Sequence, residues 1–187
     1  MTRELVLLSS RIKLRPIRMR DAEKIVECVN EPGVLEKLKY FSFFQESLTL
    51  KKERRYIGRM KDLANNQIYV IETSCGELVG TIGLHEIDRF NNNLRLGIII
   101  FNSRFVRQGY AKEAIGAILP FVFDRLRMNK IYLTARVDND LAIRIYTKLG
   151  FQKEGVLREE YCVGEGQYLD LQRMSILKSE WEERLSE

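Results

Sequence analysis

The chain has 187 residues, 45% apolar and 30% charged, which is enough to bury the core of one domain and too balanced for a disordered chain. No run of about 18 apolar residues occurs, so no membrane-spanning helix is expected. The net charge of +5 is mild, and its basic residues alternate with acids, as in Lys51-Lys-Glu-Arg-Arg55, which argues against a nucleic-acid-binding stripe.

In chain order, residues 12–17 alternate apolar and charged side chains and predict a half-exposed strand, with Pro16 favouring an edge. Asp21 is expected to N-cap a helix whose inner stripe is Ala22, Ile25, Val26 and Val29. A less regular segment carries Tyr40, Phe41, Phe43 and Phe44; Thr49 then caps a second helix to about residue 63. Residues 68–73 and 78–87 form a hairpin through Cys75-Gly-Glu77. Residues 94–101 are an apolar, β-branched run and read as a buried strand. Residues 110–127 carry Ala114, Ile115, Ile118, Leu119, Val122 and Phe123 at the spacing of one helical face. A strand over 130–137 and a helix that Asp138-Asn-Asp140 begins and a glycine cap at Gly150 stops follow. Extended pieces at 151–154 and 160–163, a last strand over 168–177 and a short terminal helix complete the chain. The pattern predicts one α+β domain over residues 1–187, with a mixed, mostly antiparallel sheet of about seven strands. Its parallel part is expected where strands and helices alternate.

Cys28, Cys75 and Cys162 are widely spaced and there is one histidine, His85, so neither a metal site nor a disulfide framework is expected. The apolar patch within the first ten residues is short for a secretory signal, and a cytoplasmic location is expected.

Chemistry concentrates where the 94–101 strand turns into the following helix. The turn contains Arg107, Gln108 and Gly109, and the helix opens with Tyr110, Ala111 and Lys112. A helix start presents free N–H groups and a positive dipole end, a natural seat for phosphates. Small residues at 109 and 111 let such a ligand approach the backbone closely.

Val106-Arg-Gln-Gly-Tyr-Ala-Lys-Glu-Ala114 resembles the pyrophosphate loop of the GNAT superfamily of N-acetyltransferases. Asn139-Asp-Leu-Ala-Ile-Arg-Ile-Tyr-Thr-Lys-Leu-Gly-Phe151 resembles that family's second cosubstrate element, an Asn followed seven residues later by Tyr and then by Gly-Phe. The ending Met174-Ser-Ile-Leu-Lys-Ser-Glu-Trp181 looks like the branch containing ribosomal-protein alanine acetyltransferases and spermidine acetyltransferases.

The resemblance implies a twisted sheet flanked by helices and splayed between its fourth and fifth strands. It implies acetyl-CoA as cosubstrate and no metal, with the pantetheine pairing to the backbone at Ile99, Ile100 and Phe101. It gives Asn139 a place at the cosubstrate, compatible with capping its helix. It makes Tyr146 the general acid for the departing thiolate, against the alternative of a packing aromatic.

The strand carboxylate that relatives use as base is replaced here by Arg95. Glu86 is the favoured substitute, with His85 or a water chain as alternatives, and strand alternation sets Glu86 and His85 on opposite faces. Glu86 and the pair Glu159 and Glu160 are candidate contacts for a cationic acceptor. The implied partner is a small polyamine, or otherwise a protein N-terminal amine, with no nucleic acid and no membrane; a homodimer is compatible with the branch. A non-catalytic acyl-CoA-binding module is the rival reading.

Overall fold

The computed structural model describes residues 7–38, 47–164 and 166–186, so the aromatic segment Tyr40 to Phe44 lies outside the described residues. The elements run β1 (Leu7–Leu8), β2 (Ile12–Pro16), α1 (Asp21–Val29), α2 (Val34–Leu38), α3 (Leu50–Asp62), β3 (Gln67–Thr73), β4 (Leu78–Asp88) and β5 (Asn93–Ile100). They continue as α4 (Tyr110–Pro120), β6 (Lys130–Arg136), α5 (Asp140–Lys148), β7 (Gln152–Gly164), β8 (Gln167–Leu177) and α6 (Lys178–Ser186). One eight-stranded sheet has the order β1-β2-β3-β4-β5-β6-β8-β7. Among the described strands only β5 and β6 are parallel, joined by the crossover through α4. The α+β class and mixed sheet are as expected, with the two-residue β1 as the additional strand.

The β5–β6 ladder is short. Asn93, Leu94 and Arg95 pair with Lys130, Ile131 and Tyr132, and no strand pair follows. Beyond Arg95, β5 keeps its antiparallel pairing with β4, through Leu96–Leu84, Gly97–Gly83 and on to Ile100–Gly80. Among the described residues, the other edge of β5 therefore carries no strand partner from Leu96 to Ile100.

Two apolar clusters cover the sheet. The larger packs α4 through Ile115, Ile118 and Leu119 against Ile82, Leu84, Leu94, Leu96, Ile131, Leu133 and Met174, spanning both sides of the split. The smaller packs Ile25, Ile57 and Met60 of α1 and α3 against Ile68, Val70 and Phe101, and holds no residue of β6, β7 or β8.

Four local expectations are corrected. Asp21 is the first helical residue rather than the N-cap, which is Arg20 with no side-chain cap bond. The Asp21 carboxylate instead accepts Arg18 N–H at 2.7 Å and both Arg15 nitrogens at 2.8 Å. The helix from Tyr110 is α-helical only to Pro120, and Phe121–Arg125 is a π turn closed by Leu126 N–H on Phe121 O. Pro120 has no N–H to give the preceding turn, and the widened turn preserves the inward stripe through Val122 and Phe123. The two extended pieces after Gly150 are one strand, β7, interrupted by bulges. Finally, β2 is not an outer strand, because β1 pairs with it at Lys13 and Leu14.

A buried ion-pair cluster ties α1 to the sheet. Arg15 on β2 clasps Asp21 with both terminal nitrogens, and its Nε reaches Glu72 on β3 at 2.7 Å. Burial alone would raise the Asp21 pKa; the bonds from Arg15 and Arg18 more than reverse this and hold it below the usual range.

Glu53 has the opposite fate. It lies on the inner face of α3, 7% exposed, with no donor to its carboxylate among the described residues. Burial raises its pKa to about 7. Between the ordinary carboxylate range and pH 7 the folded chain holds this proton and the unfolded chain does not, so stability falls as pH rises through that window. Glu53→Gln should therefore leave stability unchanged near pH 4.5 and raise it by on the order of 2 kcal/mol at pH 8. Thermal unfolding at both pH values checks this, and an equal effect at both would refute it.

Candidate active site

The turn between β5 and α4 has a distinctive backbone geometry. Asn102 anchors the turn after β5 by donating to Leu78 O and accepting Arg104 N–H. Arg107 (φ 62°) and Gly109 (φ 85°) are both left-handed, on either side of Gln108. Alternation of hand turns successive N–H groups toward one side, which forms an anion nest. The N–H groups of Arg107, Gln108, Gly109, Tyr110, Ala111 and Lys112 bond to no carbonyl among the described residues. Only glycine takes φ near 85° without strain, which explains its place at the helix cap. Arg107 and Lys112 are exposed at the rim. Arg11 steadies the loop from the other side: it pairs with Glu113 at 2.7 Å and stacks on the Tyr110 ring at 4.7 Å. A groove of about 560 Å³ follows, lined by Ser10, Arg11, Gly109, Lys112 and Gly116, and it does not extend to Glu86 or Asn139.

The unpaired edge of β5 leads from this turn into the split. Ile99 and Ile100 face β4 on one side, opposite Thr81 and Gly80. Phe101 is 2% exposed and packs in the cluster under α1 and α3. Gly80 is required by close approach: a Cβ there would lie 2.1 Å from Ile99 O.

The helix α5, which follows β6, carries Tyr146 and has Asn139 as its N-cap residue. Asn139 caps α5, its Oδ1 accepting Ala142 N–H at 3.1 Å, which leaves its amide NH₂ as a donor. Tyr146 packs at 6.0 Å from Phe151 and is 9% exposed. Burial pushes its phenol up to about 12. The hydroxyl has no hydrogen-bond partner among the described residues. No sealed side-chain polar atom there is unpartnered, so this hydroxyl opens onto accessible space.

At the foot of the split the last ladder pair, Arg95 and Tyr132, holds Glu86. Its Oε1 accepts Arg95 Nε–H at 2.9 Å and its Oε2 accepts the Tyr132 hydroxyl at 2.7 Å. Arg173 lies over the Tyr132 ring at 4.2 Å. Alternation would have set Glu86 on the face opposite His85. The strand bulges between His85 and Asp88, and Glu86 takes φ 53°, which carries its carboxylate to Arg95, the cross-strand partner of His85. Partial burial raises the Glu86 pKa, but bonds from Tyr132 and Arg95 outweigh it and hold the group ionised below its usual value.

Glu159 and Glu160 lie on β7, the outer strand, with β8 and β6 between them and the split. Both are exposed, and Glu159 N–H donates to Asp170 at 2.8 Å. The structure thus brings Glu86, Arg95, Tyr132 and His85 together and leaves the Glu159–Glu160 pair in a separate region. Tyr132 and Arg173 carried no sequence signal, because their roles come from the β5–β6 and β6–β8 registers. Arg95 had one: opposite charges at 86 and 95 on hairpin-related strands.

A run of unbonded N–H groups at a helix start, beside a free strand edge, is geometry suited to an anionic ligand. The acetyltransferase (GNAT) domain model matches residues 11–152, and the chain belongs to the GNAT acetyltransferase family, whose cosubstrate is acetyl-CoA. It is 30% identical over 174 residues to a spermidine N(1)-acetyltransferase of Vibrio cholerae, covering 93% of this chain and 97% of that one. It is 26% identical over 182 residues to the putative ribosomal N-acetyltransferase YdaF of Bacillus subtilis, covering 94% and 96%. A crystal structure of the Vibrio cholerae spermidine N-acetyltransferase with CoA and spermine superposes with a TM-score of 0.80 at 26% identity, covering 93% of this chain and 99% of that one.

Proposed function

We propose that this chain acetylates a primary amine of a small polyamine by direct attack on acetyl-CoA in a ternary complex. The observation that carries this is the run of unbonded N–H groups from Arg107 to Lys112 opening onto the free edge of β5. In this reading those groups take the pyrophosphate, with Arg107 and Lys112 adding charge, and Gln108, Gly109, Tyr110 and Ala111 supplying backbone. Ile99, Ile100 and Phe101 pair with the pantetheine amides as an added strand would. Asn139 donates its free amide to the same arm. Tyr146, protonated at any working pH, gives its proton to the departing sulfur.

Glu86 takes a modified part. Two donors keep it ionised, which suits it to attract a cationic amine more than to accept its proton. Glu159 and Glu160 would serve as a second, outlying attraction for the same cation. The kinship with spermidine acetyltransferases favours the polyamine. The competing acceptor, a protein N-terminal amine, draws on the ribosomal relative and on Arg95, which neutralises part of the acid at the split.

Thiol release measured over spermidine, spermine, aminoglycosides and short peptides should show kcat/KM at least tenfold higher for a polyamine. A peptide preference would transfer the assignment to the second acceptor, and no release with any amine would leave only a binding module.

A further inference from the structure

His85 is the single histidine of the chain, and its surroundings fix both its tautomer and its aim. Its Nδ1 lies 2.9 Å from Asn66 Oδ1. The Asn66 amide NH₂ is committed to Asn65 Oδ1 at 2.9 Å, so the atom facing the imidazole is the carbonyl oxygen, an acceptor. Nδ1 therefore carries the proton and Nε2 a bare lone pair. The ring is largely buried, and burial, reinforced by Arg95 and opposed by Glu86, lowers its pKa to about 4.

The ring rests on two glycines paired across β4 and β5. A Cβ on Gly83 would fall 2.3 Å from Nε2, and one on Gly97 would fall 3.3 Å away. Neither glycine has a left-handed φ, and what a side chain at these positions would meet is the imidazole itself. Gly97 is two residues past the last β5–β6 pair, on the open part of β5, and two residues short of Ile99, about 7 Å along the strand. Nε2 has no partner among the described residues and is not sealed from solvent. Gly83 pairs with Ile68, an inward residue of the α1–α3 cluster, whereas Tyr146 belongs to the α4 cluster. The imidazole thus reaches the split from the face opposite Tyr146, with the Glu86 carboxylate beside it.

We propose that Nε2 of His85 is the seat of the acceptor amine: once the ammonium has passed one proton to solvent, Nε2 accepts an N–H of the neutral amine and turns the nitrogen lone pair toward the thioester. This rests on the acetyltransfer reading above and adds to it the atom that positions the nucleophile. A neutral ring does not repel a polycation, so Glu86 supplies the attraction and His85 the direction. Orientation of this kind is worth orders of magnitude in rate.

With one histidine, side-chain ¹⁵N spectra of the selectively labelled protein report this ring alone. The expected result is a neutral ring protonated on Nδ1 from pH 6 to 9, whose Nε2 resonance moves when spermidine is added to the CoA complex. His85→Ala should lower kcat about 50-fold with the acetyl-CoA KM within twofold, and added imidazole should restore part of it. An imidazolium at pH 7, a proton on Nε2, an Nε2 resonance indifferent to the amine, or a His85→Ala enzyme with unchanged kcat would each overturn the assignment while wild-type turnover stood. Absence of wild-type thiol release with every amine would instead sink the transferase reading, and the tautomer would still be measured. Circular dichroism and an intact acetyl-CoA complex of His85→Ala separate a lost contact from a lost fold.

Discussion

Tyr146→Phe should lower kcat by about 100- to 1,000-fold while the acetyl-CoA dissociation constant stays within twofold. The substitution removes one oxygen and keeps the ring that packs on Phe151. The hydroxyl has no hydrogen-bond partner among the described residues, so its loss strands no buried partner there and stability should hold within about 0.5 kcal/mol. With a phenol pKa of about 12, the hydroxyl stays protonated through the working range and imposes no alkaline limb of its own. Steady-state thiol release with calorimetric titration of the cosubstrate measures both quantities. A kcat within threefold of wild type would remove Tyr146 from the chemistry and leave it a packing residue.

The largest effect on stability is expected at Arg15. Its guanidinium is the shared donor to Asp21 and Glu72 and is nearly enclosed, with 7% of the side chain exposed. Arg15→Ala leaves two carboxylates in a low-dielectric pocket without a counter-charge, and breaking such a pair from one side costs about 3–5 kcal/mol. For a chain of this length that corresponds to a fall in Tm of roughly 10 °C. The loss should shrink at low pH, because Asp21 is held ionised only by its donors and protonates once Arg15 is gone. Urea titration at pH 7 and pH 4 checks both the size and the sign. A loss below 1 kcal/mol at pH 7 would mean that apolar contacts of α1, through Ala22, Ile25 and Val29, hold this region without the ion pairs.

How far the fold was legible depended on whether the signal was local. The β5-to-α4 turn was readable because Gly109 at a helix cap and the apolar stripe of α4 are properties of adjacent residues. Thr49 was readable as a cap for the same reason, and its hydroxyl accepts Lys52 N–H. Asp21 was misassigned because a carboxylate at a helix start has several donors to choose from, and the buried Arg15 lies across a turn that sequence spacing does not measure. At the split, residue types pointed to Glu86 and His85, yet their relation depended on a bulge and a left-handed residue that periodicity cannot see. The Asn66–His85 bond was also hidden: it follows from β3 and β4 being paired in one register, with Gln67 opposite Leu84.

The split also sets where the molecule can yield. The apolar cluster under α4 reaches across to Ile131, Leu133 and Met174, whereas the cluster under α1 and α3 stops at β5. The sheet is consequently bound like a book, with its spine on the α4 side and its pages free on the other. Compliance is directional: the halves can part toward the α3 face with little loss of packing, and cannot part the other way without tearing the spine. In the reading proposed above, an amine arriving from the α3 face would meet the side that gives.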